Sequence, residues 1–250
     1  MVLAETDRDC LPDLAAIEAA ITPKTRALIV NTPNNPSGVV YPQELCRGIG
    51  ELLARHDSPQ RPIYLVTDDI YKRLAYDVDK CPSPAEFYDR SIVVSSFSKD
   101  LSIPGERAGY VAVHPRIEQR DELMAALIMV NRTLGFVNAA AFMQRVVARC
   151  SRAICDKEFY KQNRDLLCAA LREYGYEMPP PGGAFYVFPR SPDPDDVKFV
   201  ALLQEHRILA VPGCGFGRPG HFRLSYCVDR GTIERSLPGF KAAAASLQRS

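Results

Sequence analysis

The sequence lacks any long hydrophobic segment and any excess of charge of one sign. No apolar run approaches the roughly 20 residues of a membrane-spanning helix. The early acidic residues Glu5, Asp7 and Asp9 are not typical of a secretory signal peptide. The 250-residue chain has 31 basic and 30 acidic residues, which leave a net charge of +1. We therefore expect no membrane anchoring and no nucleic-acid binding through a basic surface, and we predict a cytoplasmic location.

Paired cysteine motifs are also missing, although the chain has eight cysteines. None forms a Cys-x-x-Cys pair, and no cysteine and histidine cluster has the spacing of a zinc site. A chain of this length can build a core without disulfides, so we expect reduced, mostly buried thiols rather than a disulfide framework. The sequence therefore predicts no metal site.

Strand and helix patterns alternate along the first half of the chain. Alternation of this kind predicts an α/β fold with a mostly parallel, doubly wound sheet. In such sheets, ligands bind beyond the carboxyl ends of the strands. The predicted strands are residues 26–31, 63–66, 91–95 and 109–113, and the predicted helices are residues 11–21 and a helix that begins at Pro42.

Helical periodicity replaces this alternation from about Arg116 onwards. We interpret the rest of the chain as a second, smaller α+β unit. The sequence thus predicts a partial large domain at residues 1–150 and a small C-terminal domain at residues 151–250. The predicted helices are residues 116–130, 138–150, 152–174, 195–206 and 230–248, and the predicted strands are residues 184–188 and 222–226.

The segment that follows the predicted strand 91–95 has the most specific chemistry. Lys99 lies among the hydroxyl groups of Ser96 and Ser98, and Arg107 follows it eight positions later. An amine nucleophile beside a compact anion site suits a cofactor that carries both an aldehyde and a phosphate. The serine hydroxyls can bind phosphate oxygens, and the planar guanidinium of Arg107 can bind two of them. A surface loop with scattered polar residues is the alternative interpretation.

Two further polar residues follow predicted strands in the same way. Asn35 comes after the first strand and Asp68 after the second, as Lys99 does after the third. Because the carboxyl ends of parallel strands lie at one edge of a sheet, we expect the three side chains to form one site. Taken separately, Asn35 is typical of a turn before proline, and Asp68 is typical of a solvated turn or a helix N-cap.

Four motifs occur together along the chain. They are Asn34-Asn35-Pro36-Ser37-Gly38, Asp68-x-x-Tyr71, Ser96-Phe97-Ser98-Lys99 with Gly105-x-Arg107-x-Gly109-Tyr110, and Phe222-Arg223-Leu224-Ser225. Their order and spacing resemble those of class I/II aminotransferases, the pyridoxal-phosphate enzymes that include aspartate aminotransferase. The resemblance spans essentially the whole chain, and it also includes the segments 181–186 and 211–217.

The resemblance implies a catalytic role for three residues. Lys99 would form a Schiff base with pyridoxal 5'-phosphate and then transfer protons as general base and acid. Asp68 would pair with the pyridine nitrogen of the cofactor and keep the ring protonated. Tyr71 would donate a hydrogen bond to the ring oxygen, although a tyrosine that merely packs on the sheet would give the same pattern.

The resemblance also implies binding roles for five other residues. Ser96, Ser98 and Arg107 would hold the cofactor phosphate. Asn35 would contact both the ring oxygen of the cofactor and the substrate carboxylate. Arg223 would bind the α-carboxylate of the substrate through two hydrogen bonds.

Amino-group transfer between an amino acid and a 2-oxo acid, in a homodimer, is the function that the resemblance implies. Other reactions of the same cofactor, namely β-elimination, decarboxylation or ring formation, begin in the same way and stay open. A protein from another class is also open: an inactive aminotransferase-like chain with a binding or regulatory role. The motifs do not identify the amino acid donor.

One expected part of the family pattern has no counterpart in this sequence. Family members carry a glycine-rich phosphate-binding turn and an aromatic residue that stacks on the cofactor, upstream of the segment that matches residues 11–38. We therefore expect an N-terminally truncated large domain with exposed apolar sheet surface. We also expect weak cofactor binding and low activity for residues 1–250 alone.

Overall fold

A four-stranded sheet is the framework of the first half of the chain. The computed structural model describes residues 1–247, and in this part the strands lie in the order β1 (Ala27–Asn31), β2 (Tyr64–Asp68), β3 (Ser91–Ser96) and β4 (Gly109–Val113). β1, β2 and β3 are parallel, and β4 runs antiparallel to β3. This arrangement confirms the predicted α/β class with a mostly parallel sheet.

The register of the parallel strands aligns the ends that carry the predicted site residues. Asn31 at the end of β1 pairs with Asp68 at the end of β2, and Asp68 pairs with Val94 of β3. β3 leads directly into the short helix α3 (Phe97–Asp100), which contains Lys99. Asp68 is thus the last residue of its strand rather than the first residue after it. Asp68 and Lys99 therefore lie at the same edge of the sheet, as the sequence predicts.

Two helices, α1 (Leu14–Ala20) and α2 (Gln43–His56), cover one face of this sheet. The carboxylate of Asp13 accepts hydrogen bonds from the amides of Ala15 and Ala16 in the first turn of α1, which explains why the helix begins there. The apolar stripe of α2 packs against the alternate strand residues that face it. The buried residues of this core include Ile17, Val30, Cys46, Ile49, Leu52, Leu53, Ile63 and Leu65.

The opposite face of the sheet is largely exposed. Asp68 pairs with Val94, and Val94 pairs with Val111, so these three side chains lie on one face. Ile29 shares this face with Asn31, because it lies two residues before it on β1. The exposed fractions are 69% for Ile29, 38% for Val94 and 43% for Val111. An uncovered apolar surface therefore lies directly beside Asp68.

Three helices connect the first sheet to the second: α4 (Arg120–Thr133), α5 (Ala141–Arg149) and α6 (Lys157–Glu173). Each begins a few residues later than the sequence predicts. The whole of α4 is described by the structure, and none of its side chains is buried. In the described part of the chain, no helix combines the length and the apolarity needed to cross a membrane. The exposed apolar residues of this region, here called the α4–α5 surface, are Ile128, Met129, Val130, Leu134, Phe136, Val137 and Phe142.

A smaller antiparallel sheet organises the C-terminal part of the chain. Its strands β5 (Tyr186–Val187), β6 (Val211–Pro212) and β7 (Phe222–Ser225) lie in the order β5-β7-β6. The helices α7 (Asp196–Glu205) and α8 (Arg230–Leu247) pack against this sheet together with α6.

The core around the smaller sheet also includes residues from the first half of the chain. Tyr71, Leu74 and Tyr76 are buried in it beside Phe185 and Tyr186. The segment after β2 therefore packs on the C-terminal part of the molecule. The domain boundary at residue 150 stays a prediction.

Candidate active site

Lys99 lies between the end of β3 and two aromatic rings. Its Nζ is 5.3 Å from the ring centroid of Phe185 and 5.9 Å from that of Tyr71. Across residues 1–247, no carboxylate forms an ion pair with this amine. The half-buried amine therefore faces aromatic surface and has no anionic partner in the described chain.

Asp68 is a half-buried carboxylate at the end of β2. Burial raises its pKa above the usual value, and the neighbouring charge of Asp69 raises it further, whereas a backbone hydrogen bond from Ile70 lowers it. That hydrogen bond, from the Ile70 N–H to Asp68 Oδ1, is 3.3 Å long. Among the side chains that the structure describes, no cation forms an ion pair with Asp68. The carboxylate is thus available to a cationic N–H group from a ligand.

Two asparagines connect the end of β2 to the smaller sheet. Asn31 donates a hydrogen bond from Nδ2 to the Asp68 carbonyl, and its Oδ1 accepts one from the Asn35 amide, each 2.8 Å long. The Oδ1 of Asn35 in turn accepts a 2.9 Å hydrogen bond from Nη1 of Arg223 on β7. The predicted site residues Asn35 and Arg223 are therefore in direct contact, although 188 positions separate them.

The guanidinium of Arg223 lies between two aromatic rings. Its central carbon is 4.5 Å from the ring centroid of Tyr186 and 4.7 Å from that of Phe216. The hydroxyl of Tyr186 shares a 3.1 Å hydrogen bond with the hydroxyl of Tyr71. Burial raises the pKa of Tyr71 well above the usual value of a tyrosine, and this hydrogen bond raises it further. A continuous series of contacts thus runs from Asp68 through Arg223 to Tyr71 and Lys99.

The two predicted phosphate-binding serines lie side by side just before Lys99. Their Oγ atoms are 2.7 Å apart, and the Ser96 hydroxyl also donates to the Ala108 carbonyl at 3.1 Å. Ser96 is the N-cap of α3 and accepts a hydrogen bond from the Ser98 amide. These bonds fix the two hydroxyl groups next to the lysine.

Arg107 is the predicted site residue that the structure does not bring into this network. Its side chain is exposed, and Nη1 donates a 2.8 Å hydrogen bond to the Pro104 carbonyl of its own loop. In the described residues, no hydrogen bond or ion pair joins Arg107 to Ser96, Ser98 or Lys99. Its assignment to a phosphate site stays a prediction.

Sequence reasoning did not single out four residues that the structure places in the network. Tyr186, Phe185 and Phe216 lie in the segments 181–186 and 211–217, which resemble the family without an obvious chemical function. Asn31 is a polar residue at the end of an apolar strand, directly before an asparagine-rich turn. This change of polarity at the end of a strand was the one local sequence signal that could have identified Asn31 as a site residue.

The fold and the network together place a lysine, a half-buried carboxylate and an arginine at one edge of an α/β sheet. The sequence pattern of the family described as "Aminotransferase class I and II" matches residues 2–238. The chain belongs to this family, as the four motifs predict.

Curated relatives and solved structures agree with this assignment. A probable aspartate aminotransferase of Methanocaldococcus jannaschii is 33% identical over 233 residues, which cover 90% of this chain and 60% of the relative. An aspartate/prephenate aminotransferase of Thermus thermophilus is 34% identical over 236 residues, covering 92% and 59% respectively. The crystal structure of an aminotransferase from Eubacterium rectale superposes with a TM-score of 0.93 and 38% identity over 97% of this chain and 61% of that one. The chain thus spans about 60% of the length of the relatives that it matches.

Proposed function

We propose that this protein transfers amino groups between an amino acid and a 2-oxo acid, with pyridoxal 5'-phosphate bound at Lys99. The observation that carries the proposal is the contact network that joins Asp68, Asn35, Arg223 and Tyr71 to the environment of Lys99. The names of the similar proteins support it, since those of M. jannaschii and T. thermophilus are both called aminotransferases.

The side chains present fit this cofactor. The Lys99 amine has no anionic partner in the described chain and can react with an aldehyde. Asp68 offers a carboxylate to a protonated ring nitrogen, and such a cation would reverse the effect of burial on the pKa of Asp68. The hydroxyls of Ser96 and Ser98 bond each other and the Ala108 carbonyl in the unliganded chain, and they can redirect their protons to phosphate oxygens. When bound, pyridoxal phosphate supplies the electron-withdrawing ring that makes the α-proton of an amino acid removable.

Each protein group then has one task in the reaction. Arg223 binds the α-carboxylate of the substrate, and Asn35 orients the guanidinium through its hydrogen bond. Lys99 Nζ would accept the α-proton of the amino acid and donate it back in the 1,3-proton shift. Asp68 would keep a proton on the ring nitrogen, and the Tyr71 hydroxyl would donate a hydrogen bond beside Lys99.

Reductive trapping tests the proposal. The protein is incubated with pyridoxal phosphate, reduced with borohydride, digested and analysed by mass spectrometry for the modified lysine. We expect one dominant adduct on the Lys99 peptide, its loss in Lys99→Ala, and its retention in the control Lys24→Ala, which changes an exposed lysine. An adduct spread equally over surface lysines, or one of the same yield in Lys99→Ala, would refute the assignment.

Product analysis separates the reaction from its alternatives. The loaded protein is mixed with labelled aspartate and a 2-oxo acid, and the products are identified by mass spectrometry. Transfer of the labelled nitrogen to the 2-oxo acid is expected. Release of ammonia or carbon dioxide without nitrogen transfer would instead indicate elimination or decarboxylation.

We propose further that the chain forms a homodimer in the cytoplasm. The α4–α5 surface supports association, because apolar side chains such as Phe136 and Phe142 are 72% and 74% exposed. All eight cysteines are free, as expected for a reducing compartment. Sedimentation velocity is expected to show a dimer that weakens in Phe136→Ser. A monomer at all concentrations would refute the dimer.

A further inference from the structure

Tyr186 contacts two site residues with different parts of its side chain. Its hydroxyl is 3.1 Å from the hydroxyl of Tyr71, and its ring lies 4.5 Å from the guanidinium carbon of Arg223. Only 8% of the residue is exposed, so its position is fixed by packing on Phe185 and Tyr71. A single buried side chain therefore touches both the arginine and the phenol of the proposed site.

We propose that Tyr186 is a positioning residue, whose ring orients Arg223 toward the substrate carboxylate and whose hydroxyl orients the Tyr71 phenol. The proposal rests on the proposed function, because that function assigns Arg223 and Tyr71 to the site. Its two parts can be tested separately, since one depends on the ring and the other on the hydroxyl.

The ring acts on the plane of the guanidinium. Arg223 lies between Tyr186 and Phe216, and its Nη1 donates to Asn35. Rings at 4.5 Å and 4.7 Å restrict rotation of the planar group, so its other N–H donors keep a fixed direction. A carboxylate that binds through two parallel hydrogen bonds needs that fixed direction.

The hydroxyl acts on the proton of Tyr71. A phenol has one proton to donate, and in the described structure the Tyr186 hydroxyl is the hydrogen-bond partner of Tyr71. This bond holds Tyr71 in one orientation, and it engages the Tyr71 proton whenever Tyr71 is the donor. Without it, Tyr71 can donate its proton fully to an oxygen of a bound ligand beside Lys99.

Two substitutions separate the two parts. Tyr186→Phe keeps the ring and removes the hydroxyl, whereas Tyr186→Leu removes both. Tyr176→Phe is the matched control, because Tyr176 is a buried tyrosine of the same core whose hydroxyl donates to the Phe240 carbonyl at 2.9 Å. Circular dichroism verifies that each variant is folded, and Tyr186→Phe keeps the test valid if Tyr186→Leu does not fold.

Carboxylate affinity measures the part that depends on the ring. The protein without cofactor is titrated with propionate in a calorimeter. We expect Tyr186→Phe and Tyr176→Phe to bind propionate within about twofold of wild type, and Tyr186→Leu to bind it roughly tenfold more weakly, which is about 1.4 kcal/mol. Wild-type affinity in Tyr186→Leu, or an equal loss in Tyr186→Phe, would overturn this part.

The absorbance of bound pyridoxal phosphate measures the part that depends on the hydroxyl. The pH midpoint of this absorbance is expected to shift by roughly half a pH unit in Tyr186→Phe and to stay unchanged in Tyr176→Phe. An unchanged midpoint in Tyr186→Phe would overturn it. If wild-type protein gives no trapped adduct on Lys99, the proposed function fails and this proposal fails with it. If the adduct forms but both expected differences are absent, the positioning role alone is wrong.

Discussion

The ion pair between Arg73 and Asp100 connects α3, the helix that contains Lys99, to the segment after β2. Arg73 Nη1 is 2.8 Å from Asp100 Oδ2, and Nη2 donates to the Ala153 carbonyl at 2.6 Å. The Asp100 carbonyl accepts a hydrogen bond from the Cys155 amide, also 2.6 Å long. The Arg73 side chain and the Cys155–Asp100 hydrogen bond thus hold the segment before α6 against the residue after Lys99.

The expected effect of Arg73→Leu follows from how deeply this pair is buried. The side chain of Asp100 is 8% exposed and that of Arg73 is 37% exposed. Removing one partner of a fully buried pair costs about 3–5 kcal/mol, whereas exposed pairs contribute about 0–1 kcal/mol. Because Arg73 is partly solvated, we expect a loss of about 2 kcal/mol in the free energy of unfolding, which the buried charge left on Asp100 causes.

Urea unfolding followed by circular dichroism measures this loss. With a slope of about 3 kcal/mol per molar urea, the midpoint should fall by roughly 0.7 M. Adding Asp100→Asn to Arg73→Leu removes the unpaired charge and should restore a substantial part of the loss. The control is Arg116→Leu, which breaks the exposed pair with Asp89 and should cost under about 0.5 kcal/mol. An equal cost in both arginine variants, or no recovery in the double variant, would refute the reasoning.

Two further changes have clear expected outcomes. Gly38→Ala should lower the free energy of unfolding by about 2 kcal/mol or more in the same urea experiment, because φ is +72° and a Cβ would lie 2.5 Å from the Tyr186 carbonyl oxygen. Gly105→Ala, where a Cβ would meet no atom within 4 Å, is the control, and equal effects of the two would contradict the prediction. Burial raises the folded-state pKa of Asp68 above its unfolded value of about 3.9, so its charge destabilises the cofactor-free protein at neutral pH. Asp68→Asn should therefore be more stable than wild type above the folded-state pKa of Asp68, and this advantage should vanish below about pH 3.9. Urea unfolding at a series of pH values measures the difference. A variant that is less stable than wild type at neutral pH would contradict the prediction.

Local patterns predicted the elements of the fold because their causes are local. The apolar runs that became β1, β2 and β3 alternate with amphipathic helices, and this alternation indicated a parallel sheet. The predicted first residues of the helices were less accurate, because apolar periodicity does not identify the N-cap residue. α6 begins at Lys157, where the Asp156 carboxylate accepts a hydrogen bond from the Phe159 amide, and not at residue 152.

The contacts within the site depended on distant parts of the chain. The sequence indicated Asn35, Asp68 and Lys99 as neighbours because each lies near a strand end. It gave no sign that Tyr186 would join Tyr71 to Arg223, since that arrangement needs the smaller sheet to pack on the segment after β2. The exposed position of Arg107 follows from its own loop. The φ angle of Arg107 is 52°, and its guanidinium donates a hydrogen bond to the Pro104 carbonyl of the same loop.

The hydrogen bond from Arg223 to Asn35 closes a very large loop of chain. Closing such a long loop has an entropic cost that only the packed smaller sheet can offset. A chain with only the first sheet organised would contain Lys99 and Asp68 but would lack the Arg223–Asn35 contact. Under the proposed function, a carboxylate that binds Arg223 would therefore stabilise the completely folded chain by mass action.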